Sequence, residues 1–127
     1  MTKQMIIVLN GRLPDLNQAL KSAYSWRGGF GSLKKETEYN IKWQIMTAKP
    51  FECFDKKVHI TYKWYELNRL RDKDNIAFAK KFINDALVSL KILHDDGWKH
   101  VDGFTDLFFV DKKNPRIEIT IKEVCED

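Results

Sequence analysis

One short stretch limits the fold more than any other. From Lys57 onward, Val58, Ile60, Tyr62 and Trp64 alternate with His59, Thr61 and Lys63. Side chains of extended backbone point to opposite faces in turn, so this period of two describes a strand with one buried and one wet face. Such a strand needs a sheet whose covered face is closed by another layer. Residues 75–91 supply that layer, because their period changes to that of a helix. Ala79, Phe82, Ile83, Ala86, Leu87 and Leu90 fall on one side, and Lys80, Lys81, Asn84 and Asp85 on the other.

The remaining elements extend the same plan. Residues 5–9 read as a buried strand closed by the turn dipeptide Asn10-Gly11, and Pro14-Asp15-Leu16-Asn17 opens a short helical or irregular piece. Trp26 to Gly31, with three glycines in four positions, reads as a loop. Ser32 is a plausible cap for a helix running to about residue 49, before Pro50, with Tyr39, Trp43 and Met46 as its buried stripe. Residues 104–110 and 116–122 read as two further strands, and Asp111 to Pro115 as a hairpin loop between them. The order β, α, β, α, β, β predicts an α+β fold: a single two-layer domain over residues 1–127, with a mixed sheet packed against helices. A chain of 127 residues with 43% hydrophobic content can bury one core and not two.

The apolar run that ends at Leu9 is too short for a signal-peptide core or a membrane span, which predicts a soluble, cytoplasmic protein with no membrane partner. Cys53 and Cys125 form neither a CxxC pair nor a CxxxH spacing and read as reduced thiols. The net charge is +4, unevenly spread. Residues 56–81 carry eight Lys and Arg against three Asp and Glu, whereas residues 82–111 carry two against six. A basic stretch running into an acidic one suits a polyanion drawn toward a site that concentrates carboxylates for metal, and it is also what ordinary solvated faces look like.

The chemically informative segment is Arg69-Leu70-Arg71-Asp72-Lys73-Asp74-Asn75, between the strand and the helix. Two carboxylates at i and i+2 of extended backbone share a side, roughly 6–7 Å apart at Cα. That span suits one hard cation, since Mg²⁺ takes carboxylate and water oxygens. Alone, the pair also reads as helix capping, with Asp74 as the cap. Arg69, Arg71 and Lys73 surround it and could position phosphates. Lys81 lies seven residues beyond Asp74, nearly two helical turns, which returns it to the same face. A second acidic pair, Asp95-Asp96, follows the helix.

From Arg69 to Val124 the order RxRDxDN, a helix containing Asp85-Ala86-Leu87, the Asp95-Asp96 pair and two closing strands resembles the RusA family of Holliday junction resolvases. The N-terminal half, including Leu13 to Asn17, resembles it only loosely. The resemblance implies an active site of three aspartates and a lysine, at Asp72, Asp74 and Asp96. Counting back from Asp85-Ala86-Leu87 selects Lys81 as the lysine, with Lys80 as the neighbouring alternative and otherwise a DNA contact beside Arg69, Arg71 and Lys73. Asp95 could stand in for Asp96.

The resemblance further implies Mg²⁺, with Mn²⁺ as a substitute, held by the three aspartates, and hydrolysis of branched DNA leaving a 5′-phosphate and a 3′-hydroxyl. It implies a homodimer, because a four-way junction is resolved by two symmetric cuts. Phe104, Leu107, Phe108 and Phe109 offer apolar material for that interface or for the core. His94 and His100 read as surface residues. The competing reading is a non-catalytic nucleic-acid-binding module whose aspartates only cap and solvate; dependence on divalent metal separates the two. A sugar-nucleotide enzyme using the same DxD is disfavoured by the lack of a phosphate-cradling glycine loop.

Overall fold

The computed structural model describes residues 3–24, 28–48 and 52–124. The elements run β1 (Gln4–Asn10), α1 (Leu16–Ala23), α2 (Gly29–Thr47), β2 (Val58–Glu66), α3 (Lys73–Ala77), α4 (Lys80–Ser89), β3 (Val101–Val110) and β4 (Arg116–Glu123). The four strands form one mixed sheet in the order β1-β4-β2-β3, with β2 parallel to β3 and the other pairs antiparallel. This is the two-layer α+β domain that the sequence predicts.

The alternation in β2 reappears as strict burial of Val58, Ile60, Tyr62, Trp64 and Glu66. The same face of the sheet carries Met5, Ile7 and Leu9 from β1 and Ile117, Ile119 and Ile121 from β4. Ile41 and Ile45 of α2 and Phe82, Ile83, Ala86 and Leu87 of α4 close over it. Each such side chain contributes about 1.5–3 kcal/mol on leaving water, which makes this face the main source of stability. The opposite face of the sheet stays wet, so Ile6 and Val8 of β1 are exposed.

Three local readings change. In α2 the buried residues are Thr37, Ile41 and Ile45, while Tyr39, Trp43 and Met46 are 70%, 60% and 61% exposed. The helix offers two apolar stripes about half a turn apart, and the one packed against α4 and β1 is buried. The helix also begins at Gly29, not after Ser32. Gly28 precedes it in the left-handed region (φ 76°), and a Cβ there would come within 2.8 Å of the Ser32 Cβ. Trp26 and Arg27 of the expected loop, Pro50 and Cys125 lie outside the described residues.

The expected hairpin is absent. β3 and β4 are consecutive in sequence, yet β2 lies between them, so residues 111–115 arch over the end of a strand. Asp111 N–H donates to the Glu66 carbonyl at 2.8 Å, and the Arg116 guanidinium binds Asp111 Oδ2 and Glu118 Oε2, each at 2.7 Å. These bonds let five residues make the crossing.

The segment 75–91 is also not one helix. It breaks at Phe78 and Ala79, where Ala79 N–H donates to Ile76 and Lys81 N–H to Phe78, both i to i−3 bonds that tighten the turn. The break rotates α4 relative to α3, which matters for the lysines below.

Candidate functional site

The residues after β2 do not stay extended. Asp72 (φ −71°, ψ 148°) is the last extended residue and takes the N-cap position of α3, while Asp74 lies in the first turn. Asp74 is therefore not the cap, and the two carboxylates share a side through this strand-to-helix transition, not through strand alternation. Asp72 makes no capping bond, and Asp74 Oδ1 accepts only the N–H of Asn75, at 2.9 Å. Neither forms an ion pair among the described residues.

Both carboxylates line an open cleft of about 930 Å³ between the end of β2, α3 and the edge strand β3. Arg69, Arg71 and Lys73 line it with them; Ile76, Phe108, Phe109 and Val110 give it an apolar wall. Lys73 Nζ lies 5.9 Å from the centre of the Phe108 ring. Arg69 has no ion-pair partner among the described residues, so its charge is available to a ligand.

Arg71 is committed elsewhere. Its Nε lies 3.3 Å from Asp15 Oδ2, its Nη1 donates to the Leu13 carbonyl at 2.9 Å and its Nη2 to Gln18 Oε1 at 2.9 Å. Asp15 and Gln18 form the capping box of α1, each accepting the other's backbone N–H at 3.0 Å. Arg71 thus bolts the loop that bears Asp72 onto α1, and a phosphate-gripping role does not fit its geometry. The segment Leu13 to Asn17 acquires a role here that its sequence alone does not show.

The two candidate lysines are successive residues of α4, so they point about 100° apart around the helix. Lys81 Nζ pairs with Asp85 Oδ1 at 3.2 Å, and Lys34 of α2 binds the other oxygen of the same carboxylate at 3.2 Å. Lys81 therefore belongs to the α2–α4 junction; the expected return to the face of Asp74 assumed an unbroken helix. Lys80 points at the sheet, its Nζ 2.6 Å from Asp106 Oδ2 on β3 and 4.9 Å from the centre of the Phe104 ring.

Asp96 does not join Asp72 and Asp74. It is not in the lining of the cleft, and among the described residues no three His, Cys, Asp or Glu side chains stand close enough to hold one ion together. Its charge does reach Tyr62. The Tyr62 hydroxyl is held well above its ordinary value, first by burial and then by the charge of Asp106, with Asp96 adding to the effect. Asp95 Oδ1 accepts the Asp96 N–H at 2.9 Å, in the bend before Gly97. His94 pairs with Asp55 at 2.7 Å, and its ring packs 5.6 Å from that of the half-buried His100; neither lines the cleft.

Two acidic residues of this region escaped the sequence reading. Glu66 lines the cleft and is buried at 6% exposure, with Oε1 bound by Arg12 Nη2 at 2.9 Å. Its signal was present: it is the next position on the buried face of β2. Asp106 stands in β3 between Phe104 and the apolar run Leu107 to Val110, and an ionisable side chain beside such a run calls for a partner.

The described residues contain no helix long and apolar enough to cross a membrane. No protein-family model matches the chain and no curated protein matches it.

Proposed function

We propose that the chain is a divalent-metal-dependent endonuclease acting on branched DNA, in the manner of the RusA-type resolvases it resembles. One observation carries this reading: two carboxylates free of ion pairs, Asp72 and Asp74, share an open cleft with the cations Arg69 and Lys73. All four side chains are exposed, and a carboxylate pair beside cations not held in ion pairs suits a hydrated metal and a phosphodiester together.

Asp72 and Asp74 fit Mg²⁺ or Mn²⁺, because Mg²⁺ keeps several waters and needs only one or two carboxylates from the protein. A shell that also includes Asp96 does not fit this geometry, so the pair is the ligand set proposed. When bound, the ion supplies a water of lowered pKa and neutralises charge on the scissile phosphate.

The chain's own groups do the rest. Arg69 and Lys73 hold the phosphates that flank the cut. Phe108, Phe109 and Val110 keep bulk water from one wall of the cleft, which strengthens each charge interaction inside it. Lys80 does not line the cleft itself, but its partner Asp106 stands two residues along β3 from the cleft-lining Phe108, and Lys80 is the cation proposed to meet developing negative charge.

Paired cuts need two such sites, so the proposed assembly is a homodimer. Phe104, Leu107 and Phe109 remain about two-fifths exposed on the edge strand β3 and supply apolar surface for it. The deciding experiment incubates the purified protein with labelled four-way junction and with linear duplex, with and without Mg²⁺. Cleavage of the junction only in the presence of the ion is expected. Salt-sensitive binding without cleavage in either Mg²⁺ or Mn²⁺ would instead establish a binding module.

A further inference from the structure

Beside the cleft, a chain of polar groups runs from α4 into the sheet. Lys80 Nζ donates to Asp106 Oδ2 at 2.6 Å, and the indole Nε1 of the fully buried Trp64 donates to Asp106 Oδ1 at 2.9 Å. The ammonium also lies 5.4 Å from the centre of the Tyr62 ring, and the Tyr62 hydroxyl donates to Asn84 Oδ1 on α4. Both oxygens of Asp106 are therefore fixed, one by a core indole and one by Lys80. The lysine side chain is only 20% exposed.

We propose that Asp106 is a positioning residue, which holds the Lys80 ammonium, over the strand that carries the cleft-lining Phe108, ready for the phosphate undergoing cleavage. This rests on the nuclease reading above. A lysine on a flexible stem loses rotamer freedom when it meets a phosphate, and a carboxylate clamped by a buried indole removes that cost in advance. An ammonium has three donors, so a bond to Asp106 leaves two for phosphate oxygens. The pair is nearly neutral and adds little to the attraction of DNA; Arg69 and Lys73 supply that. The value of Asp106 is therefore in turnover and not in affinity.

That division gives a sign that a purely structural role would not produce. Asp106→Asn keeps the acceptor for Trp64 but turns an amide toward Lys80, and it removes a negative charge that partly offsets the Lys80 cation. Junction affinity, measured in Ca²⁺ to prevent cutting, is expected to stay equal or tighten. The single-turnover cleavage rate in Mg²⁺ is expected to fall by about tenfold or more. In a Lys80→Ala background the same change is expected to cost nothing further, because the group it positions is gone. Asp106→Glu, which keeps the charge, should recover part of the rate, and the Trp64 indole N–H resonance reports that each variant is folded. An Asp106→Asn enzyme within twofold of wild type, or losses that simply add in the double variant, would sink this inference and leave the nuclease reading standing. A wild-type protein that cuts no junction in either metal would remove both.

Discussion

The molecule has two aspartate pairs of similar composition in contrasting surroundings, Asp72 and Asp74 after β2 and Asp95-Asp96 before β3. The first lines an open cleft with Arg69 and Lys73, and its carboxylates have no ion-pair partners among the described residues. In the second, Asp95 Oδ1 accepts the N–H of Asp96, and neither carboxylate lines the cleft. Each pair has one carboxylate that accepts the N–H of the next residue, Asp74 from Asn75 and Asp95 from Asp96, so backbone bonding does not separate them; the cations Arg69 and Lys73, which line the same cleft as the first pair, do.

The strongest way to break this comparison is Asp74→Asn, which keeps size and an acceptor oxygen but loses a charge. Junction binding should survive while Mg²⁺-dependent cleavage falls by orders of magnitude, as measured by single-turnover kinetics. A near wild-type rate would end the metal-ligand assignment. Next in size, Lys80→Ala should lower the rate by about 100-fold, with Lys81→Ala within about twofold, since the second lysine serves the α2–α4 junction. The reverse result would mean that DNA binding straightens the break at Phe78 and Ala79.

Arg71→Ala tests whether the first pair depends on its anchor. Removing three polar contacts to Asp15, Leu13 and Gln18 should cost about 2 kcal/mol in urea unfolding and lower DNA affinity only through that loss. An unchanged unfolding midpoint together with a reduced salt slope of binding would return Arg71 to the phosphate-contacting set. For the second pair, Asp96→Asn is expected to leave cleavage within about threefold, because Asp96 does not line the cleft that holds Asp72 and Asp74. A loss equal to that of Asp74→Asn would show instead that the turn closes onto the cleft in the complex.

The smallest effect concerns a carboxylate with a fixed partner. The hydrogen bond from Arg116 holds Asp111 below its ordinary value of 3.8. A lowered folded value means that its contribution to stability is present above the unfolded value and lost as the pH falls through the folded one. Titration followed by NMR should place the Asp111 midpoint below 3.8, and Arg116→Gln should move it back up.

The amino-acid order alone determined those features that depend on local periodicity. The alternation through Val58 to Trp64 and the isoleucines at 117, 119 and 121 have one way to bury an apolar face, and both strands formed with that face inward. The basic DxD junction was legible for the same reason, as a charged segment between two periodic ones. Tertiary structure decided what had more than one local solution. Two apolar stripes on α2 were equally periodic, and only the position of α4 selected Ile41 and Ile45. Nothing in residues 73–89 marks a helix break with Gly or Pro, yet the tightened turn at Phe78 and Ala79 decided that Lys80, and not Lys81, meets the sheet. Strand order was likewise invisible, because a five-residue loop rich in turn formers serves a hairpin and a crossing over β2 alike. That crossing leaves β3 at the sheet edge, parallel to β2, where Phe108 lines the same cleft as Asp72 and Asp74; long-range pairing of strands, which no local pattern encodes, brings them together.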